Sequence, residues 1–461
     1  MRIKRPGLFY FDKTGLSKQT VFSLKLMFVT TAISTVFGNT INGVAKVNYL
    51  RSLNVTDFVY GLIMAIGPIG AAVQIFAAYI VEKTRKRKLV FMISGIMHRV
   101  AYLPFGLVPF FFPMTDETLL IWLAVLMIMV AALCAPFVNV TFLSYIAEVV
   151  PVRIRGGYFG VRTRIATVCV IAAGLATAYI LDRFTGFGGY ALVFTTVAVL
   201  GIIDISLFAL IPFPPMPEAE TKPTLIKMLA DVFKNRRYMN FIIFTSIAGL
   251  VTAMSAVFQM VYARGTLGLS NMAVTVAMQI VPNVCMIITL PMWGRALDRY
   301  GNRPVMLISA YMTCLNPFLW FFLSPGPYAA IPILVVSTFG GLAMSGMTIG
   351  TLNISIGHAP EKNRSMFISL YLCVTTILAG LGGPISGWLL DNVMASLEGM
   401  GLMLFGSVID RYNYVFGVSA VLHLLVIIIL LPRMITEENT ASARAVLAKV
   451  LKSIRSREVV G

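Results

Sequence analysis

The sequence predicts an all-helical membrane protein with twelve transmembrane helices in two pseudo-symmetric six-helix bundles. Three observations predict this fold. Of the 461 residues, 58% are hydrophobic and only 12% are charged; long apolar runs recur along the whole chain; and the second half repeats features of the first. Soluble domains carry about 25% charged residues, so lipid must be the main solvent of this chain. A transmembrane β-barrel would instead show short segments of alternating polarity.

The apolar runs are long enough to be membrane-spanning helices. A span needs about 20 apolar residues, because the hydrocarbon core is about 30 Å thick and a helix rises about 1.5 Å per residue. The predicted spans are residues 21–49, 56–81, 89–112, 118–146, 157–181, 189–212, 238–264, 272–293, 304–323, 328–355, 365–390 and 411–432. We therefore predict an N-terminal segment 1–20, a six-helix bundle 21–212, a proline-rich linker 213–236, a second six-helix bundle 237–432 and an amphipathic tail 433–461.

The distribution of basic residues predicts the orientation. Most of the 37 Lys and Arg residues lie at the span ends that share a side with both termini. The positive-inside rule then places both termini in the cytoplasm, with the protein in the cell (inner) membrane. This pattern explains the net charge of +18 without a nucleic-acid partner. We expect the lipid bilayer and a small solute as partners, and a monomer.

The sequence lacks the motifs of the common enzymes. Five Cys residues lie inside apolar runs without a CxxC spacing, and three His residues share no ligand spacing. No HExxH, GxSxG or GxxxxGK[ST] occurs. We therefore expect no cofactor, no metal site and no enzyme. An intramembrane enzyme and a non-transporting membrane sensor are the disfavoured alternatives.

The two halves of the chain repeat each other. One constant offset along the sequence places Pro151 over Pro360, Tyr158 over Phe367 and Asp182 over Asp391 without a gap. Earlier in each half, a slightly larger offset places Glu82 over Asp298 and Arg87 over Arg303. Two matched six-span halves are typical of transporters in which bundles rock around a shared central site.

The loop after the eighth span carries a family motif. Gly294, Asp298, Arg299, Gly301 and Arg303 fit the pattern G-x-[LA]-x-D-[RK]-x-G-[RK]-[RK], with Asn302 departing from it. On these residues the chain resembles the major facilitator superfamily (MFS) over residues 18–433, and segment 147–162 resembles a loop of its prokaryotic members.

The resemblance implies a cytoplasmic gate that holds the halves together and releases them during transport. The first copy of the motif keeps Glu82 and Arg87, and Glu148 and Arg155 are expected in the same gate. Asp298 is expected to contact Arg303 or to cap the following helix. The alternative is a pair of solvated loops that only fix the topology.

Two polar stripes are candidate solute contacts. Thr35, Asn39, Asn42 and Lys46 in the first span, and Thr252, Ser255, Gln259 and Tyr262 in the seventh, each follow a helical spacing. The resemblance implies that both helices line the cavity. We predict contacts from Asn39, Asn42, Lys46, Gln259 and Tyr262. The alternatives are interhelical hydrogen bonds and, for Lys46, snorkelling to the membrane surface.

Arg99 and Asp204 are charged residues inside predicted spans. Such residues are costly in a membrane and are functional candidates by default. We predict a buried structural ion pair between them, with proton coupling through Asp204 as the alternative.

These observations favour a secondary active transporter that moves a small solute by rocker-switch alternating access. Coupling to protons or another ion is left open. The stripes contain one cation and no carboxylate, which indicates a polar neutral or anionic solute. The alternative within the same fold is efflux of amphipathic drugs or lipids.

Overall fold

The computed structural model describes most of the chain. The described residues are 17–112, 116–151, 154–184, 186–212, 225–326, 328–360, 364–398, 403–404 and 407–434. The predicted N-terminal segment 1–20, the proline-rich part of the linker and the amphipathic tail 433–461 therefore lie wholly or largely outside the described residues.

Twelve helical segments of the described chain are long and apolar enough to cross a membrane, which confirms the predicted fold class. These spans are Lys18–Ser52, Asp57–Val81, Arg87–Phe111, Glu117–Ile146, Tyr158–Arg183, Phe187–Leu210, Arg236–Gly265, Asn271–Tyr300, Asn302–Phe321, Ala330–Gly357, Met366–Glu398 and Arg411–Met434. They are called the first to the twelfth span below. Large apolar side chains such as Trp122, which is 67% exposed, face outward because the surrounding solvent is lipid.

Several spans consist of more than one helix. The α-helices are α1 Lys18–Asn42, α2 Val44–Ser52, α3 Asp57–Gly70, α4 Gln74–Thr84, α5 Arg87–Val100, α6 Leu103–Phe111, α7 Glu117–Val149, α8 Arg155–Arg183, α9 Phe187–Leu207, α10 Leu225–Lys234, α11 Arg236–Gly265, α12 Asn271–Thr275, α13 Val281–Tyr300, α14 Asn302–Phe321, α15 Ala330–Gly357, α16 Arg364–Leu389, α17 Ala395–Glu398 and α18 Arg411–Met434. Short 3₁₀ turns at Ala71–Val73 and Phe208–Leu210, and π turns at Val276–Ile280 and Leu390–Met394, continue some of them. Two short strands, β1 Met403–Leu404 and β2 Ser407–Val408, pair antiparallel.

Polar side chains and glycine define the helix ends. Ser17 caps α1 by accepting a hydrogen bond from the Thr20 N–H at 3.1 Å, and Asn235 caps α11 through the Tyr238 N–H at 3.1 Å. Such caps satisfy backbone donors that have no partner within the helix. Gly43 adopts an extended conformation between α1 and α2, which divides the first span into two helices.

The chain forms two compact units. Unit 1 consists of Met1–Val55 and Ile66–Glu220, and unit 2 of Thr56–Ala65 and Thr221–Gly461. The division near residue 220 falls within the predicted linker 213–236. The sequence did not predict that the start of the second span, Thr56–Ala65, groups with unit 2.

The two units use the same helix pairings. In unit 1, α1 packs against α8 and α9, α5 against α7 and α9, and α4 against α7. In unit 2, α11 packs against α16 and α18, α14 against α15 and α18, and α13 against α15. The first span thus pairs with the fifth and sixth as the seventh pairs with the eleventh and twelfth. The internal repeat of the sequence is therefore also a repeat of the packing.

Equivalent aromatic pairs stabilise the two units. In unit 1, Tyr158 stacks on Phe28 with ring centroids 4.9 Å apart. In unit 2, Phe367, which the sequence repeat aligns with Tyr158, packs edge-on against Tyr238 at 4.9 Å. Such aromatic pairs contribute about 0.5–1.5 kcal/mol beyond the burial of their area. The repeat therefore preserves a core contact between the first and fifth spans of each half.

Candidate solute-binding site

Unit 1 encloses a polar cavity of about 450 Å³. Helices of all six spans of this half contribute side chains to it. The charged residues among its described lining are Lys46, Arg99, Arg162 and Asp204. Hydroxyl and amide groups also line it, from Thr30, Thr31, Ser34, Asn42, Gln74, Tyr102 and Asn139. A cavity of this size accommodates a small solute, because ligand pockets measure about 300–1,000 Å³.

Arg99 and Asp204 lie together in this cavity. The Arg99 Nη2 atom is 3.4 Å from the Asp204 Oδ2 atom, and the two residues are only 5% and 1% exposed. The guanidinium also lies over the Phe37 ring, with its carbon 4.5 Å from the ring centroid. Opposite charges at this distance compensate part of each other's desolvation.

A glycine one turn before Asp204 makes room for the arginine. A Cβ atom at Gly201 would lie 2.5 Å from Arg99 Cγ and 3.0 Å from Phe37 Cδ2. Real Cβ contacts are not this short, so any larger residue at position 201 would displace the stem of Arg99. Gly201 thus positions the guanidinium beside the carboxylate.

His98 extends the polar network. Its Nδ1 atom is 2.7 Å from Arg99 Nη1. Arginine has no acceptor, so the Arg99 N–H donates and His98 accepts through Nδ1. This requires a neutral imidazole with its proton on Nε2. The sequence analysis found only that the three His residues share no ligand spacing, whereas in the structure His98 lines the cavity.

Two atoms of the ion pair have no hydrogen-bond partner among the described residues. Asp204 Oδ1 and Arg99 Nε are both buried and accept or donate no hydrogen bond in the described part of the chain. Buried polar atoms are normally satisfied. The unsatisfied carboxylate oxygen gives the cavity a buried acceptor for a proton or a solute hydroxyl.

Arg162 is a cavity residue that the sequence analysis missed. The sequence analysis counted Arg162 only among the basic residues at span ends that indicate the orientation. In the structure its Nε–H donates to Thr31 Oγ1 at 2.9 Å, and its guanidinium carbon lies 4.7 Å from the Phe142 ring centroid. A usable signal was its depth, since Arg162 lies seven residues inside α8, about 10 Å from the helix start.

The structure separates the polar residues of the first span. Asn42 and Lys46 line the cavity. Asn39 does not, because its Nδ2 donates to the Val170 carbonyl at 3.3 Å on the fifth span. Asn39 therefore makes the interhelical hydrogen bond that was the alternative to solute contact. The Nδ2 of Asn42 donates to the Gly38 carbonyl of its own helix at 3.0 Å, which leaves its side-chain oxygen available.

Unit 2 has a smaller pocket of about 380 Å³ between its seventh to tenth spans. Gln259 lines it and donates from Nε2 to Asn316 Oδ1 at 2.9 Å. The other polar side chains of its described lining are Thr252, Ser255, Asn283, Thr313 and Ser337, and none is charged.

Tyr262 does not line this pocket. Its side chain is fully buried, and its hydroxyl donates to the Leu323 carbonyl at 2.6 Å. Trp320 and Phe416 pack edge-on against its ring. In this structure Tyr262 therefore occupies a core position away from the pocket, and its predicted solute contact stays a prediction. Its hydroxyl bonds to a backbone carbonyl two residues beyond the end of α14 rather than facing the pocket.

The loop motif differs from its predicted geometry. Gly301 ends α13 with a positive φ of 81°, as a tight reversal requires. Asp298, Arg299 and Arg303 are exposed. Among the described residues, Asp298 neither pairs with Arg303 nor caps α14, whose N-cap has no side-chain hydrogen bond. Side chains on a helix tilt toward its N-terminus, so Asp298, in the last turn of α13, is directed away from the next helix.

In the first copy of the motif, Arg87 is buried and its Nη1 donates to Ser144 Oγ at 2.8 Å. The contact joins the third and fourth spans of unit 1. The side chains of Glu82, Glu148 and Arg155 lie outside the described part of the structure.

Unit 2 contains an ion pair between a buried carboxylate and a partly exposed arginine, which the sequence analysis missed. Asp57 Oδ2 is 3.1 Å from Arg411 Nη2, and Tyr412 Oη donates to Asp57 Oδ1 at 3.0 Å. Asp391 accepts hydrogen bonds from the backbone N–H groups of Asp57 at 3.3 Å and Phe58 at 2.8 Å. A carboxylate at a helix N-terminus satisfies free donors and opposes the helix dipole. Asp391 thereby caps α3.

Comparison with known proteins identifies the fold. The nucleoside transporter NupG superposes with a TM-score of 0.69 at 16% identity, covering 91% of this chain and 100% of that one. A D-xylose–proton symporter gives 0.65 at 14% identity, covering 90% and 100%. A bacterial homologue of the lysosomal transporter Spinster, in an inward-facing and unoccupied conformation, gives 0.65 at 14% identity, covering 91% and 98%.

The sequence comparisons give the family. A search of curated proteins found no match by sequence. The profile of the Major Facilitator Superfamily matches residues 27–286 and 278–460, which together cover nearly the whole chain. With its twelve apolar helices and its two repeated units, this protein belongs to the major facilitator superfamily of membrane transporters.

Proposed function

We propose that this protein is a secondary active transporter that binds a small solute in the cavity of unit 1 and moves it by alternating access. The observation that carries the proposal is the polar, charged cavity of about 450 Å³ inside an otherwise apolar bundle. Polar groups inside a membrane are costly and mark solute or ion pathways. Asn42 and Lys46 are the proposed solute contacts in this cavity. Gln259 keeps its proposed role as a polar contact in the separate pocket of unit 2.

We further propose that the Arg99–Asp204 pair couples transport to protons. Asp204 is the sole carboxylate in the described lining of the cavity, and its Oδ1 atom has no hydrogen-bond partner there. Protonation of Asp204 would weaken its attraction to Arg99 and free the guanidinium. The D-xylose–proton symporter among the similar structures supports this type of coupling.

For topology we propose cytoplasmic termini in the inner membrane, and for oligomeric state a monomer. The loop with Asp298, Arg299 and Arg303 is the proposed cytoplasmic gate. These side chains are exposed in the structure, so contacts within unit 2 do not bury them. Glu82, Arg87, Glu148 and Arg155 keep the same proposed role at the matching loops of unit 1.

Efflux of amphipathic molecules is the second candidate function, and one observation favours it. Unit 2 has an almost purely apolar groove of about 1210 Å³ along its ninth and twelfth spans. Tyr311, Phe318 and Phe322 contribute aromatic rings to it. In this case, replacing Phe318 and Phe322 together by Ala would lower transport of an amphipathic dye while leaving a polar solute unaffected.

The test begins with purified protein screened for thermal stabilisation by a metabolite library, because a ligand that binds only the folded state raises its stability. Proteoliposomes should then take up the stabilising solute saturably. Asn42→Ala should weaken the stabilisation at least several-fold. Asn39→Ala is the matched control, since its amide bonds to Val170 and does not line the cavity.

Equal effects of Asn42→Ala and Asn39→Ala would remove the cavity assignment. A solute that stabilises the protein but never crosses the liposome membrane would contradict the transporter proposal. Coupling is tested separately with the double neutral variant Arg99→Met/Asp204→Leu, which should move solute without responding to a pH gradient. Unchanged acceleration by an imposed pH gradient would exclude Asp204 as the coupling site.

A further inference from the structure

Arg162 is held in one orientation before any ligand binds. Its Nε–H donates to Thr31 Oγ1 at 2.9 Å, and the Thr31 hydroxyl in turn donates to the Met27 carbonyl at 2.6 Å. The Thr31 proton is therefore committed to the helix backbone, and its oxygen accepts from Arg162. The Phe142 ring supports the face of the guanidinium, with its centroid 4.7 Å from the guanidinium carbon. These contacts fix both the direction and the plane of the side chain.

The two terminal nitrogens of Arg162 have no partner among the described residues. In the part of the chain that the structure describes, Arg162 makes no ion pair, and its only hydrogen bond is the one through Nε. The residue is half-buried and lines the cavity. Arg99, by contrast, is matched by Asp204 in the same cavity. A partly desolvated guanidinium without a carboxylate is unfavourable until an anion supplies the missing charge.

The other charges of the cavity do not balance Arg162. Among its described lining residues, three cations, Lys46, Arg99 and Arg162, face one carboxylate, Asp204, which is already paired. Lys46 lies on α2, beyond the break at Gly43 that ends α1, the helix of Thr31. It lines the same cavity and adds to the positive charge that attracts an anionic solute. The described lining of the cavity thus carries an excess of positive charge.

We infer that the transported solute carries a carboxylate or phosphate group, which binds the terminal nitrogens of Arg162 as a bidentate ligand. This inference rests on the proposed function of the unit 1 cavity and names its substrate class. The planar fork of arginine matches two oxygens of either group. Ser34, one turn after Thr31, and Asn139, one turn before Phe142, also line the cavity and would bond to hydroxyl groups beside the anionic one.

The experiment compares ligand classes on the purified full-length protein. The probes are succinate, lactate, inorganic phosphate and glycerol 3-phosphate as anions, glucose and uridine as neutral solutes, and choline as a cation. Thermal stabilisation is measured for the wild type, Arg162→Gln and Arg164→Gln. Arg164 is the matched control, because it lies on the same helix, carries the same charge and is exposed outside the cavity.

We expect anions to stabilise the wild type and Arg164→Gln, and Arg162→Gln to bind them about 10–100-fold more weakly, as expected for a lost charged bidentate contact. Thr31→Val should weaken anion binding several-fold without lowering the melting temperature of the free protein. It therefore tests the same contact even where Arg162→Gln fails to fold. Arg162→Lys keeps the charge but not the fork and should recover only part of the affinity.

Three results would overturn the inference. They are stabilisation by neutral or cationic probes alone, no stabilisation by any anion, and equal anion affinity in Arg162→Gln and the wild type. If a neutral solute is then taken up by proteoliposomes, the transporter proposal stands while the anion inference fails. Phosphatidylglycerol added to the micelles tests a lipid as the source of the phosphate. Stabilisation by glycerol 3-phosphate alone points to a soluble solute, and stabilisation by the lipid alone points to a lipid headgroup. Either effect supports the phosphate contact only if it is lost in Arg162→Gln.

Discussion

The two units have the same helix pairings but cavities of opposite character. The cavity of unit 1 contains four charged side chains, including the Arg99–Asp204 pair. The described lining of the unit 2 pocket carries no charge, and its central polar contact joins the amides of Gln259 and Asn316. Shared architecture therefore does not imply shared chemistry. The repeat preserves the packing, whereas each half has acquired its own polar groups.

The difference is clearest at one position of the repeat. The alignment that places Glu82 over Asp298 also aligns Arg99 with Leu315, which is next to Asn316. A neutral amide thus stands beside the place that a buried arginine takes in the other half. Burying an amide pair costs less free energy than burying an ion pair, and the amides carry no net charge. An ion pair, in contrast, can respond to a proton or an anion. This contrast supports the proposal that the ion-dependent step takes place in unit 1.

The largest expected effect comes from breaking the ion pair. Asp204→Asn leaves the buried Arg99 without a counter-charge, which should lower the free energy of unfolding by about 3–5 kcal/mol. Size-exclusion profiles and melting temperatures of the purified variant measure the loss. The double variant Arg99→Met/Asp204→Leu removes both charges and should recover most of the stability. A fully stable Asp204→Asn protein would mean that Arg99 does not depend on this carboxylate.

A smaller loss is expected from crowding the same pair. Gly201→Ala places a methyl group 2.5 Å from Arg99 Cγ, so the arginine stem or the helix must shift. Overpacking of this kind typically costs about 1–3 kcal/mol. Gly38→Ala is the control, because no described atom lies within 4 Å of its added Cβ although Gly38 lines the same cavity. Matching melting temperatures of the two variants would contradict the close packing at Gly201.

The smallest effect is expected in unit 2. A double-mutant cycle with Gln259→Met and Asn316→Leu should give a coupling energy of about 0.6 kcal/mol, the average for hydrogen bonds between membrane helices. Unfolding in mixed micelles measures each member of the cycle. The same cycle on Arg99 and Asp204 should give several times this value. Equal coupling energies for the two pairs would contradict the expected energetic difference between the two cavities.

Much of the fold followed from the sequence, because length and hydropathy determine which segments cross a bilayer. The predicted sixth span, residues 189–212, and the structural span Phe187–Leu210 differ by two residues at each end. The sequence analysis could predict the Arg99–Asp204 ion pair, because two opposite charges within the membrane spans of one half are costly to bury unless they pair. The role of the neighbouring Gly201 could not be predicted from the sequence, because it depends on how closely another helix approaches this position.

The differences between the predicted and the observed positions of the site residues share a physical cause. Helical spacing placed Asn39, Asn42 and Lys46 on one face, but one residue of rotation decides between a cavity and a neighbouring helix. The Tyr262 hydroxyl donates to the Leu323 carbonyl, which is distant in the sequence, and no local sequence pattern reveals this contact. The sequence analysis counted Arg162 only as an indicator of orientation. The positive-inside rule concerns the ends of spans and not how deep a single side chain lies.

The cap that Asp391 provides for α3 has a consequence for biosynthesis. The residues that it joins, Asp57 and Asp391, are 334 positions apart, whereas Arg99 and Asp204 are separated by 105. At about 5–20 residues per second, the ribosome reaches Asp391 on the order of tens of seconds after Asp57. During that interval the N–H groups of Asp57 and Phe58 lack the carboxylate that accepts their hydrogen bonds in the folded protein. The charged centre of unit 1 can therefore assemble while the chain is still emerging, but the amino end of α3 must wait for the eleventh span.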